Sequence, residues 1–366
     1  SAAAGSTSSA AAGPPSSAAA GSTSSAAAAP PSSAAGLRRA RVACFCECGA
    51  QLVFGGRYAE ADALLARIDE DLRALPAPDA ELVAMAQQLR AIRASAGGDP
   101  EACLEGLEAA LAAFEQAGDR RSACVIGANL GFIYAELGEL AAAESVLRAA
   151  LEAADRMGLR ELATVALHNL GHVLGQLGKL DEAQLAERRA VEAFQQRGDL
   201  RMEGVARTYL AKIALLSGDA ATAEREARAA EAALHVAPRL RAPAVAVRAR
   251  ALLALGEVAA AVGAARAAFG ELAALGSLEE GESLVRLAYA DALAASGAHG
   301  EAAAVLAEAR ESLLARAERI ANPRRRERFL TAVPENARVV RGIAATEEGG
   351  GAPAGEESPP CAAGAS

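Results

Sequence analysis

His168 and His172 stand four positions apart in His168-Asn169-Leu170-Gly171-His172. On a helix that spacing puts both imidazoles on one face. Two nitrogens so placed can share one metal ion, yet no glutamate lies between them and the sequence places no third ligand. A polar recognition surface and ordinary packing or solvent exposure are the other two readings. On a recognition surface the rings would change charge near pH ~6.5 and so tune affinity for an acidic peptide.

The densest thiol run is Cys44-Phe45-Cys46-Glu47-Cys48-Gly49. Thiolate zinc sites usually have two-residue gaps and a distant second pair. Here the gaps are single residues, and Cys103 and Cys124 have no such spacing. Buried packing thiols are expected, with Cys48 just before the small Gly49 and Cys44 one helical turn earlier on the same side. Redox chemistry and metal binding are the alternative readings. No Gly-Lys-Ser/Thr phosphate loop is present, and no Gly-rich loop with catalytic Lys, His-Arg-Asp or Asp-Phe-Gly stretch. No catalytic residue, cofactor or metal is therefore expected of this chain.

The elements that position these groups are read from a repeat. Asn129-Leu130-Gly131 returns 40 residues on as Asn169-Leu170-Gly171, and the same phase gives Tyr209-Leu210-Ala211. Gly138, Gly178 and Gly218 keep the same period, as do Ala143, Ala183 and Ala223, and Ala150, Ala190 and Ala230. Fixed-period self-similarity signals a stacked supersecondary unit. Hydrophobic residues make up 52%, aromatics 3%, and Trp is absent, so alanine carries much of the apolar content. Alanine favours helix and buries little area, which requires close helix packing.

The predicted fold is all-α: an α-solenoid of about seven antiparallel hairpins over residues 37–321. Its turns fall at Gly56, Gly97-Gly98, Gly138, Gly178, Gly218, Gly256 and Gly297. In the second repeat Arg90 falls where a small residue belongs, and Ala91 fits only with a one-residue slip. Pro238 and Pro243 predict a late start or bend in the sixth repeat. Residues 322–343 form a capping segment with a short helix, Phe329 and Leu330 facing inward. Arg324, Arg325, Arg326 and Arg328 are expected to be a solvated face, with docking of an acidic partner as the alternative. Residues 1–36, a Ser/Ala/Gly/Pro unit repeated twice, and the tail 344–366 are expected to be disordered.

The formal charge of −9 argues against nucleic acid. No apolar run reaches the roughly 18 residues of a membrane span, so no membrane partner is expected. Six cysteines without regular spacing are no disulfide framework, and a cytoplasmic setting is expected.

The Asn-Leu-Gly, Gly138 and Ala143 markers, and His168–Gly171 with Gly178 and Ala183, resemble the tetratricopeptide repeat. Its usual period is about 34; the resemblance here is to a longer-helix subclass of bacterial signalling ATPases, regulators, kinase tails and kinesin light chains. Residues 326–338 resemble the closing segment of myxobacterial multidomain proteins in which a serine/threonine kinase or an ATPase precedes such repeats. The resemblance implies a concave groove lined by each hairpin's first helix. Its candidate residues are Asn129, Phe132 and Glu136; His168, Asn169, His172 and Gln176; and Thr208 and Lys212, with Tyr209 beside them. Asn129 and Asn169 match part of the family's carboxylate-clamp pattern, whereas His168 and His172 replace the lysine–asparagine pair it needs. A non-catalytic scaffold binding a peptide or partner helix in this groove, in bacterial signalling, is the leading functional expectation. The alternative is a peptide- or effector-sensing module of a kinase or ATPase whose catalytic domain lies outside this chain.

Overall fold

The computed structural model describes residues 33–77, 79–278 and 280–342. The low-complexity unit up to residue 32 and the tail from 343 lie outside the described residues.

Among the described residues, sixteen helices follow one another without strands. Seven antiparallel pairs come first: α1 (Ala34–Phe54) with α2 (Tyr58–Ala74), α3 (Ala80–Ala96) with α4 (Pro100–Ala117), and α5 (Arg120–Glu136) with α6 (Leu140–Arg156). Then come α7 (Arg160–Gln176) with α8 (Leu180–Arg197), and α9 (Leu200–Leu216) with α10 (Ala220–Ala233). The last pairs are α11 (Pro238–Ala254) with α12 (Val258–Leu275), and α13 (Glu282–Ala295) with α14 (His299–Glu318). Two short helices, α15 (Pro323–Thr331) and α16 (Pro334–Arg341), come last among the described residues. The solenoid starts slightly earlier than the expected residue 37, because Ser33 accepts a hydrogen bond from the Gly36 amide and caps α1.

Each hairpin turn holds a glycine at positive φ, among them Gly138 at 74° and Gly178 at 75°, a conformation that costs a residue with a Cβ. Aspartates at 79, 99, 119, 199 and 219 cap the helices that follow them. Small residues meet where paired helices cross. A Cβ added at Gly131 would lie 2.3 Å from Leu147 Cγ, and one at Gly171 would lie 2.8 Å from Glu187 Oε1. In the second repeat the slip is real: Ala91 packs under Gly106, and the displaced Arg90 pairs with Asp69.

Three expectations need correction. α11 does not start late: it begins at Pro238, since proline is tolerated at the first helical position, and it continues past the internal Pro243. The α12 span Val258–Leu275 has the length and mean hydropathy (1.5) of a membrane-crossing helix. Its apolarity is mostly alanine, it carries Arg266 and Glu271, and its buried positions Ala261, Ala265, Ala268 and Leu272 form its packed face. Among the thiols only Cys46 fits the packing expectation for the run. It is buried, with its thiol pushed up to about 12 by that burial, while Cys44 and Cys48 are exposed with their sulfurs 4.0 Å apart. The buried stripe of α1 is Val42, Cys46, Gly49 and Val53. Cys48 holds the place of buried Leu130, but α1 is the first described helix and no described element covers that face.

Candidate functional site

The first helices of repeats three to five present polar residues to the interior of the superhelix. α5 contributes Glu136, α7 His172 and Gln176, and α9 Thr208, Tyr209 and Lys212. With Glu280-Gly281 before α13, Arg316 of α14, and Phe329, Glu335 and Asn336 from the C-terminal helices, they line a cavity of about 50 Å³. At about 10–15 Å³ for each water-sized occupant, it holds only a few.

Charge in this cavity is partly compensated. Lys212 Nζ lies 3.0 Å from Glu335 Oε1. Burial pushes the Glu335 carboxyl up, but Lys212 outweighs it and holds the group down to about 2. Burial opposes the Lys212 charge, and Glu335 and Glu280 outweigh that penalty, so the lysine stays cationic. Glu136 behaves differently. Burial, reinforced by the neighbouring Glu280, lifts its carboxyl to about 8, so it holds a proton at neutral pH. The Tyr209 hydroxyl donates to Glu280. His172 stacks on the Tyr209 ring at 4.1 Å between centroids. Burial and then Lys212 depress the His172 pKa well below its ordinary value, so the ring is neutral. It accepts from the Gln176 amide at 2.7 Å.

The ligand atoms of Glu136, His172 and Glu280 lie within 4.8 Å of one another. A cation or a shared proton can relieve the repulsion between such carboxylates. Here Lys212 and Arg316 already provide positive charge beside Glu136, and Gln176 engages a His172 ring nitrogen.

The predicted groove residues divide into two groups. Glu136, His172, Gln176, Thr208 and Lys212 reach the cavity. Phe132, His168 and Asn169 are buried in the helix stack, and Asn129 is half-buried. His168 is fully buried, with Nδ1 2.9 Å from Glu187 Oε2 on α8. Asn169 donates to the Ala128 carbonyl at 3.0 Å, tying α7 to α5. The shared His168–His172 face therefore serves no single ion: one ring faces a second helix and the other the interior, with Tyr209 against both. The buried Glu187 is the partner the sequence reading lacked. It lies one turn beyond Ala183, on a face where the repeat phase predicts an apolar residue, and that anomaly is the available signal.

The larger departure concerns the end of the chain. α15 and α16 cap the last hairpin and also cross to the opposite wall of the superhelix. Arg325, only 21% exposed, reaches Glu101 at 3.4 Å and Glu139 at 3.2 Å. Arg328 reaches Glu139 at 3.4 Å, and Arg326 donates to the Ile320 carbonyl. The backbone of α15 lies on the α5–α6 turn, where a Cβ at Gly138 would meet Arg328 O at 2.7 Å. Of the four arginines expected on a solvated face, three are thus engaged. For Arg325 and Arg328 the reason is the acidic Glu101–Glu108–Glu139 wall that superhelical curvature brings opposite them.

Residues 121–196 match the family model described as tetratricopeptide repeat. No curated protein sequence matches the chain. Solved structures share its fold at low identity. A Rap protein complexed with Competence and Sporulation Factor is 14% identical, with TM-score 0.51 over 83% of this chain and 98% of that one. NprR in complex with its cognate peptide NprX is 12% identical, with TM-score 0.55 over 80% and 81%. A signal-transduction ATPase with a tetratricopeptide-repeat sensor from Pyrococcus horikoshii is 15% identical, with TM-score 0.52 over 66% of this chain and 39% of that chain.

Proposed function

We propose that this chain is a non-catalytic interaction scaffold of bacterial signalling, taking a peptide or partner helix on its inner face. One observation carries the reading: side chains from three successive first helices, Glu136 and Gln176 at one repeat position and His172 and Lys212 at another, converge on one interior cavity. A neutral ring, an amide, a protonated carboxyl and an ammonium together offer hydrogen bonds to a backbone and charge to a terminus or side chain. The structures of Rap with its factor and of NprR with its peptide support a ligand of this class. The sensor of the Pyrococcus horikoshii ATPase supports a related alternative, in which the solenoid senses its ligand for an attached ATPase or kinase.

The test is selection from a displayed random-peptide library on the full chain, repeated on a chain carrying His172→Ala and Gln176→Ala. Selected peptides should lose at least about ten-fold in affinity on the variant while its helical signal is unchanged. Peptides that bind both chains equally would locate recognition elsewhere and defeat the reading.

A further inference from the structure

The inner face already has an occupant. Pro323–Arg341 lies across it with a guanidinium at one end, Arg325 among Glu101, Glu108 and Glu139. Phe329 is buried midway, and Glu335 meets Lys212 at the other end. We infer that this C-terminal segment is a built-in competitor, and that the partner is a peptide presenting the same order of groups: a cation for the Glu101–Glu139 wall, a large apolar side chain, and a carboxylate for Lys212. The inference rests on the inner-face reading above and names the chemistry of its ligand.

Two observations favour an occupant that releases over a permanent part of the core. Its apolar hold rests on four side chains, buried Phe329 and Val339 with half-buried Leu330 and Val340 beside them. Among the nine residues of α15 only Phe329 is buried, and α16 buries only Asn336 and Val339. By contrast, α7 buries twelve of its seventeen residues. Segments with few buried apolar contacts open at low free energy. Its remaining bonds are chiefly polar and exchangeable: Asn336 accepts from the Ser283 hydroxyl at 2.8 Å, and Arg338 pairs with Asp291 at 2.5 Å. A ligand with matching charges can replace these groups one for one. The tether makes the segment a strong competitor through its high local concentration.

The test uses a fluorescein-labelled synthetic peptide of residues 323–341, titrated into the full chain and into the full chain carrying Arg325→Glu and Phe329→Ala. The variant is expected to keep its helicity and to bind the peptide at least about ten-fold more tightly than the native chain. A helical variant that binds no better than native overturns the proposal. If the variant loses helicity, hydrogen exchange on the native chain decides. Amides of α15 and α16 exchanging about ten-fold faster than those of α14 support release, and equal protection overturns it. Library peptides that depend on the inner face yet bind the native and loosened chains equally would leave the inner-face reading standing and remove the competitor. Finding no such peptide on either chain would remove both.

Discussion

Gly131 tests the claim that small residues set the spacing of the hairpins, and through it the reach of Glu136 toward the cavity. The perturbation is Gly131→Ala, with Gly263→Ala in α12 as the reference. In a helix interior the change to alanine gains about 0.5–1 kcal/mol of backbone entropy and propensity. At Gly263 nothing lies within 4 Å of the added Cβ, so that gain should appear in full. At Gly131 the same atom would sit 2.3, 2.7 and 2.9 Å from the carbons of the Leu147 side chain. Leu147 is fully buried and cannot swing into solvent, so α5 and α6 must separate. Overpacking of this kind costs about 1–3 kcal/mol. The two variants should therefore differ by about 1–3 kcal/mol in urea denaturation followed by far-UV circular dichroism, with Gly131→Ala the less stable. Leu147→Ala alone should cost about 2–5 kcal/mol. On that background the Gly131 substitution should cost nothing, a coupling expected only of residues in contact. If Gly131→Ala is as stabilising as Gly263→Ala, or if its cost survives the loss of Leu147, the close-approach argument is wrong.

Three other expectations can be checked directly. Glu136 titrates at about 8 in the fold against an ordinary 4.5, so between those values the native state binds the extra proton and stability falls as pH rises. Glu136→Gln, which removes the titrating group, should flatten that slope in pH-dependent melting. Glu335, held at about 2, has the opposite sign: its contribution is present above 4.5 and is lost as pH falls through 2. Lys212→Met should cost about 2–3 kcal/mol, somewhat less than breaking a fully buried pair, and should raise the Glu335 pKa seen by NMR; adding Glu335→Gln should recover most of the loss, and a double mutant no better than Lys212→Met would contradict the pairing. Alkylation of the native chain under mild conditions should label Cys44 and Cys48 and spare buried Cys46, as read by mass spectrometry; labelling of Cys46 at the same rate would contradict its burial.

The hairpin array was legible because its determinants are local. Gly131, Gly171 and Ala211 recur at fixed spacing since each hairpin solves the same packing problem, and the turn glycines recur because only they adopt the required positive φ cheaply. The interior was legible on one side only. Repeat phase put Glu136, His172, Gln176 and Lys212 among the inward candidates, and they line the cavity, yet it could not separate His172 from His168, four positions away. That distinction depends on Glu187 of a different helix. Glu280 and Glu335 lie outside the first-helix phase altogether, in the approach to α13 and in α16, and superhelical curvature brings them to the cavity. Curvature accumulates from small rotations at every joint, so no single residue announces it. For the same reason Arg325 and Arg328 looked solvated: their acidic partners are remote in sequence.

The bond from Arg319 to the Gly98 carbonyl joins residues 221 positions apart, as does the Asn322 amide with Glu101. An open solenoid unfolds by peeling from its ends, because each unit leans only on its neighbours. Here the second and seventh hairpins are stitched together, leaving α1–α2 outside the stitch at the N-terminal end of the described residues. The entropic cost of so long a loop grows only logarithmically, whereas contacts so remote in sequence form late in folding. The stitched units should accordingly melt as one cooperative block, with closure the last step of assembly. A ligand that lifts the C-terminal helices would also cut part of that seam, turning recognition at the inner face into a change in how the whole array holds together.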